Sequence, residues 1–385
     1  MPNPKDHDAG MLHPGIRMDL DHQQLDSHCQ HQFLAELLRN LAPDLSAAAA
    51  RRFCQLDPTV KARYPDVPCQ AWHDLFSTWV TDLAASLAAC RPEILHRQVA
   101  WTKSLLGART VSETDLVAAL TALRDATLEH APPEDAALIQ AYIASTIEHI
   151  AQCPGCPPCH LTNDCPNQRL ALEFVVTMLE GDRRAASDLI LGAARTGLPV
   201  RQLYLEVLYP AMKELGRMWE RNEIDVAEEH FCTATTEMVM SQLYPFIARA
   251  APNGKVAVVA AAQGNLHQIG VRMVADFLEM DGWRPIYLGA NVPAHDLALA
   301  VNDFKADVLA IAACLHAHIQ SVADAIAVVR SCPQAAPVKI IVGGNGFAGT
   351  GELWREIGAD AMALCVDEAV ALANQLTLPD QIARR

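Results

Sequence analysis

Three groups of residues in this 385-residue chain offer the donors or clearances that chemistry needs. The first centres on His267, in Asn265-Leu266-His267-Gln268-Ile269-Gly270, which follows the apolar run Lys255–Ala262 and precedes an amphipathic stretch. An imidazole at the carboxyl end of a parallel strand points into the crevice where such folds bind ligands, and its neutral ring is a good metal donor. Asn265 offers an amide oxygen that can orient the ring. Ala313-Cys314-Leu315 and Gly343-Gly344 stand at the ends of two later apolar runs. The second group is Trp219 with Glu229 and His230, ten and eleven residues further on. The third is Cys153, Cys156, Cys159 and Cys165, whose short gaps suit thiolate binding of zinc or an iron–sulfur cluster. The same spacing also reads as a Pro-rich linker with solvent-facing thiols, or as redox disulfides.

The elements that must position these groups follow from periodicity. Residues 251–385 alternate apolar runs (255–262, 283–288, 307–315, 338–342 and 360–365) with amphipathic helical patterns near 268–281, 294–305, 320–331 and 350–357 and from about 367. Runs without polar alternation predict a parallel sheet covered on both faces, and five such units predict a flavodoxin-like doubly wound domain. No G-x-G-x-x-G follows the first run, which disfavours a nicotinamide dinucleotide. Residues 168–250 read as a four-helix bundle broken at Gly181-Asp182, Thr196–Pro199 and Arg221–Glu223. Asp225-Val226-Ala227-Glu228 is a capping-box sequence that starts its last helix. Residues 1–152 form a separate N-terminal helical domain, with 153–167 as the linker. The domain has no catalytic triad or phosphate loop, and Trp72, His73, Trp79, His96 and Trp101 read as core packing rather than a ligand cage. The fold class is α/β plus all-α.

A formal charge of −15 argues against a nucleic-acid surface, which needs clustered Lys and Arg. The polar, His-rich start has no apolar signal region, and no run is apolar enough to span a bilayer. The expected location is cytoplasmic, where the twelve cysteines serve as thiols or metal ligands.

The loop around His267 resembles the D/E-x-H-x-x-G loop of cobalamin-binding domains. There the histidine is the lower axial ligand of cobalt, and S-x-L and Gly-Gly line the pocket of the cofactor's tail. Ala313-Cys314-Leu315 and Gly343-Gly344 stand at the corresponding places, so Asn265, His267, Gly270, Ala313, Leu315, Gly343 and Gly344 are the implied contacts. Asn265 replaces the usual acid and Ala313 lacks the serine hydroxyl, which puts fine control of the cobalt in question. The W-x9-E-H pattern of Trp219, Glu229 and His230 resembles the cap bundle of adenosylcobalamin-dependent photoreceptors, in which the Trp packs on the adenosyl group. Their light-responsive members carry a histidine after the Trp, where this chain has Glu220.

The resemblance implies a non-enzymatic light sensor whose assembly, as a homo-oligomer or with a protein output partner, changes on illumination. The domain order is similar to that of photocobilins, which implies biliverdin between the N-terminal and cobalamin domains, near His316 and His318. A corrinoid methyl carrier shares the bundle and the His267 loop, and a cobalamin-binding antirepressor is a third reading. A mutase is disfavoured, since its barrel of about 250 residues has no room here.

Overall fold

Apolar residues recur at helical spacing through the first part of the chain, which gives each helix one stripe to bury. The computed structural model describes residues 22–64, 69–153, 157–162 and 164–378. In it α1 (His22–Asn40), α2 (Ala42–Leu56), α3 (Val60–Arg63), α4 (Cys69–Ala88), α5 (Glu93–Gly107), α6 (Glu113–His130) and α7 (Ala136–Gln152) build the N-terminal helical domain. Its largely aliphatic core holds an aromatic cluster. Phe53 packs on Trp72 at 4.7 Å, and Phe76 meets Trp79 edge-on at 5.9 Å. Trp72 and Trp79 are core residues as their spacing implies; Trp101 is not, and stands 37% exposed on the face of α5 turned to the helical bundle.

The second unit is α8 (Pro166–Leu179), α9 (Arg183–Arg195), a long composite helix and α12 (Val226–Leu243). The composite runs through α10 (Val200–Gln202), a π-helical stretch at Leu203–Leu208 and α11 (Tyr209–Glu220). Pro210 explains the widened turn: it has no N–H to offer and its ring crowds the carbonyl four residues back. All three expected breaks are present, and the helices after the first and third begin on a side-chain cap. Asp182 accepts from the backbone N–H groups of Arg184 and Ala185, and Asp225 and Glu228 form the capping box.

The third unit is a five-stranded parallel sheet, β1 (Val256–Ala262), β2 (Arg284–Val292), β3 (Val308–Ala312), β4 (Lys339–Gly343) and β5 (Ala361–Ala363), in the order β2-β1-β3-β4-β5. This is the flavodoxin-like order. α13 (Ile269–Met280) and α17 (Val366–Leu376) cover one face; α14 (Ala294–Phe304) and α15 (Ile319–Ser331) cover the other, with the short α16 (Leu353–Glu356) before β5. Val258, Ala260 and Ala262 enter one core while Ala257, Val259 and Ala261 enter the other, which is why β1 lacks polar alternation. Three strand ends differ from expectation. β5 stops at Ala363, where the Leu364 N–H turns to Glu368 Oε2 (2.9 Å). β2 runs on to Val292 because irregular register against β1 lengthens its path. β3 stops at Ala312, since Ala313 and Leu315 leave the sheet to meet the loop after β4.

Among the described residues, no helix is long and apolar enough to cross a membrane. One carboxyl inside the N-terminal domain is out of keeping with its surroundings. Asp82 is buried on α4 with Oδ2 unpartnered, and burial pushes its pKa up to about 7. The folded chain therefore keeps this proton at pH values where the unfolded chain has lost it, so its contribution to stability falls as pH rises from about 4 to about 7. Wild type should lose thermal stability relative to Asp82→Asn between pH 5 and pH 8, as read by melting curves. Parallel pH dependences of the two proteins would refute the assignment.

Candidate functional site

The strand order reverses between β1 and β3, so the loops leaving these two strands diverge and open a crevice at the sheet's carboxyl edge. His267 stands on the β1 loop. Asn265, 1% exposed, donates from Nδ2 to Ala312 O (3.0 Å), and its Oδ1 accepts from the backbone N–H of His267 (3.1 Å). These two bonds fix which end of the amide faces the ring. The contact at 3.0 Å between Asn265 Oδ1 and His267 Nδ1 must then be donated by Nδ1–H. Nε2 keeps its lone pair, the state a metal ligand requires. The ring's outer edge is open, but protein packed around its base holds its pKa below the ordinary imidazole value, with Glu229 pulling the other way.

The helical bundle supplies the opposite wall. Glu229, in the first turn of α12, is close enough to act on the His267 ring; its Oε1 accepts from Thr233 Oγ1 (2.7 Å) and its Oε2 pairs with His230 Nδ1 (2.6 Å). The His230 side chain is 76% exposed and turns outward. Trp219 stands in the last turn of α11, partly buried against the bundle core, and its ring also meets the N-terminal domain: Trp101 stacks on it, with centroids 6.3 Å apart, and the Arg109 guanidinium lies 5.8 Å from its centre. The bundle is fastened to the sheet by Gln268 Nε2 donating to Glu237 Oε1 (2.7 Å) and Arg272 donating to Ser241 Oγ (2.9 Å).

Gly343, Gly344 and Ala313 come together at the far side of the crevice. A Cβ on Gly344, whose φ is +96°, would collide with the Ala313 carbonyl, and one on Gly343 would lie 2.7 Å from Ala363 O. These glycines are therefore already required by the fold, because neighbouring backbones approach through them. Gly270 differs: a Cβ there would meet nothing within 4 Å, so the protein's own packing does not explain its lack of a side chain. Leu315 is 46% exposed beside the crevice and Leu266 is 72% exposed.

Sequence reasoning missed several contributors. Asn291, at the end of β2, holds the loop by accepting from Gly264 N–H (2.8 Å) and donating its own N–H to Asn265 O (3.0 Å). Its φ of +55° and its place just before Val292-Pro293 were the available signal. Glu237 and Arg109 carried no motif at all. His318 is near enough to His267 to feel its charge; its Nδ1 and His316 Nε2 are buried without a hydrogen-bond partner.

The cysteine cluster does not assemble in the described part of the chain. Cys156 lies outside the described residues, and no three His, Cys, Asp or Glu side chains gather to hold a metal among those described. Cys159 Sγ donates instead to Leu161 O (3.0 Å). The linker is tied down by Glu214, which accepts from His160 N–H (2.7 Å) while paired with Arg217.

The B12 binding domain family matches residues 255–373, and a second family of the same description matches residues 171–244. The HTH-type transcriptional repressor CarA of Myxococcus xanthus is 31% identical over 245 residues, spanning 63% of this chain and 79% of the repressor. The chain belongs to the B12-binding protein family. Dimethylamine corrinoid protein 3 of Methanosarcina acetivorans is 28% identical, spanning 48% of this cobalamin-binding chain and 86% of its own. A corrinoid protein of Desulfitobacterium hafniense is 23% identical, spanning 53% and 95% respectively.

The residues present fit a cobalt corrin. His267 offers an unprotonated Nε2, Gly270 leaves clearance beside it, and Leu266 and Leu315 expose apolar surface that a large ring would cover. His267→Ala should weaken cobalamin retention and shift the visible spectrum; unchanged retention and spectrum would remove the lower-ligand assignment. Asn265→Ala frees the ring to change tautomer and should weaken retention roughly 10- to 100-fold. Titration of the cofactor-free chain with hydroxocobalamin checks this, and equal affinity in the variant would refute the orienting role.

Proposed function

We propose that this cobalamin-binding chain is a non-enzymatic light sensor that takes adenosylcobalamin between the sheet and the helical cap. The observation that carries the reading is that Glu229 of the cap is near enough to His267 to act on its charge, with Trp219 in the last turn of the neighbouring helix. Similarity to the CarA repressor of Myxococcus xanthus supports it. Adenosylcobalamin supplies a cobalt–carbon bond that visible light breaks. His267 Nε2 would ligate the cobalt, Asn265 holds the imidazole in the tautomer this needs, and Trp219 with Glu229 would line the cap side of the cofactor's space. Removal of a group lodged between cap and sheet changes the relative stability of two domain arrangements, and the acidic surface passes that change to a second copy or a protein partner.

Biliverdin is the proposed second chromophore, at the seam where His316 and His318 carry their unpartnered nitrogens. A corrinoid methyl carrier is the second reading, supported by the similarity to the dimethylamine corrinoid protein of Methanosarcina acetivorans.

Reconstitution in darkness with adenosylcobalamin, followed by absorption and size-exclusion chromatography before and after green light, tests the proposal. A light-dependent spectrum with a changed elution volume is the expected result, and co-expressed biliverdin should add a far-red band. Bound cobalamin with no change in assembly would overturn the sensor in favour of the carrier. Trp219→Ala should lower the preference for adenosylcobalamin over hydroxocobalamin, and an unaltered preference would remove Trp219 from the upper wall.

A further inference from the structure

Helix α5 touches both walls of the cofactor cleft. Near its start, Arg97 donates to Ala348 O on the loop that follows Gly343-Gly344. Arg97 and the preceding Arg91 fill the space where a Cβ would stand on Gly349 and Gly351, both in the left-handed region (φ +75° and +59°). This loop fits the N-terminal domain because two glycines leave room for two guanidinium groups. One turn further on, Trp101 stacks on Trp219 with an interplanar angle of 27°. Arg109, just past the helix, donates from Nη1 to Glu220 O (3.1 Å) and from Nη2 to Trp219 O (3.4 Å) while lying against the Trp219 ring. Arg97 and Trp101 are four residues apart and share a helix face. A helix of 15 residues is a strut about 22 Å long, and here Arg91, just before it, lies against the loop after β4 while Arg109, just past it, holds the cap.

We propose that Trp101 and Arg109 are positioning residues that set the ring of Trp219 and thereby couple the upper cofactor face to the N-terminal helical domain. This rests on the adenosylcobalamin reading. The Trp219 ring cannot turn without giving up its stack on Trp101 and its contact with the guanidinium. The neighbouring carbonyls cannot follow the turn without giving up Arg109. A group bound above the cobalt that moves the ring therefore acts on α5 directly. By linkage, the N-terminal domain biases the affinity for that group to the same degree. The grip of Arg91 and Arg97 does not involve Trp219, so it gives the strut a fixed end against which a displacement of the cap registers.

The test is hydrogen exchange on the full chain, cofactor-free and loaded with adenosylcobalamin in darkness, in wild type, W101A, R109A and W101F. Titrations with adenosylcobalamin and hydroxocobalamin accompany it. Loading should change exchange across residues 93–109 in wild type. W101A and R109A should retain cobalamin with the wild-type hydroxocobalamin spectrum yet lose that change, and their preference for the adenosyl form should fall about five-fold or more. W101F keeps an aromatic face and should preserve most of the response. An undiminished exchange change and preference in both W101A and R109A would overturn the coupling while leaving the cofactor reading intact. Failure of wild type to take up cobalamin would overturn the cofactor reading and the coupling with it.

Discussion

The side-chain amide of Asn265 is held at both ends, by the Ala312 carbonyl behind it and by the backbone and ring of His267 in front. Leaving either end unmade inside the protein would cost about 1–3 kcal/mol, so the loop has one strongly preferred arrangement. That arrangement dictates a tautomer, and the tautomer aims a lone pair into the crevice. It depends in turn on the sheet order, because Ala312 reaches Asn265 only where β3 lies beside β1. The usual acid of such loops would add negative charge to the ring; the amide here orients it with no charge.

The cap is not a loosely tethered lid. Tyr204, in the widened π-helical turn, donates to Asp276 Oδ2 at 2.7 Å and stacks near Phe277 on α13. Burial raises the Asp276 pKa even with this bond and the nearby Arg272 favouring its charged form. Met273 and Phe277 belong to the same apolar core as the bundle, and Arg201 lies 4.6 Å from the Phe277 ring centre. This shared core fastens the bundle to the sheet at the end away from Trp219 and Glu229.

The seam between the N-terminal domain and the sheet is polar in an unusual way. Burial, with Arg97 beside it, pushes the His316 pKa down to about 4, so this imidazole is neutral at physiological pH. Neutral rings with unpartnered nitrogens are open to either donor or acceptor groups, whereas a charged pair would select one sign. The Arg97 guanidinium meanwhile serves the loop after β4 by binding its carbonyl.

Much of this protein was determined by its sequence alone. Unalternating apolar runs specified the two-faced sheet, glycine and proline breaks specified the bundle, and Asp225 with Glu228 marked the start of α12. His267, Asn265 and Gly270 were legible because a short loop bound to a strand end fixes its side chains locally. Tertiary structure decided what local pattern cannot carry. His230 has the motif spacing yet turns to solvent, because spacing sets a helix face and not which neighbour covers it. Trp101 looked like core but faces Trp219, since an exposed and a buried indole share the same helical period. The Gly343-Gly344 pair suggested a ligand slot, and only the positions of the Ala313 and Ala363 carbonyls showed that the fold itself requires both glycines. The pairing of Arg91 and Arg97 with Gly349 and Gly351 joins residues some 250 positions apart, a contact that arises only when whole domains dock.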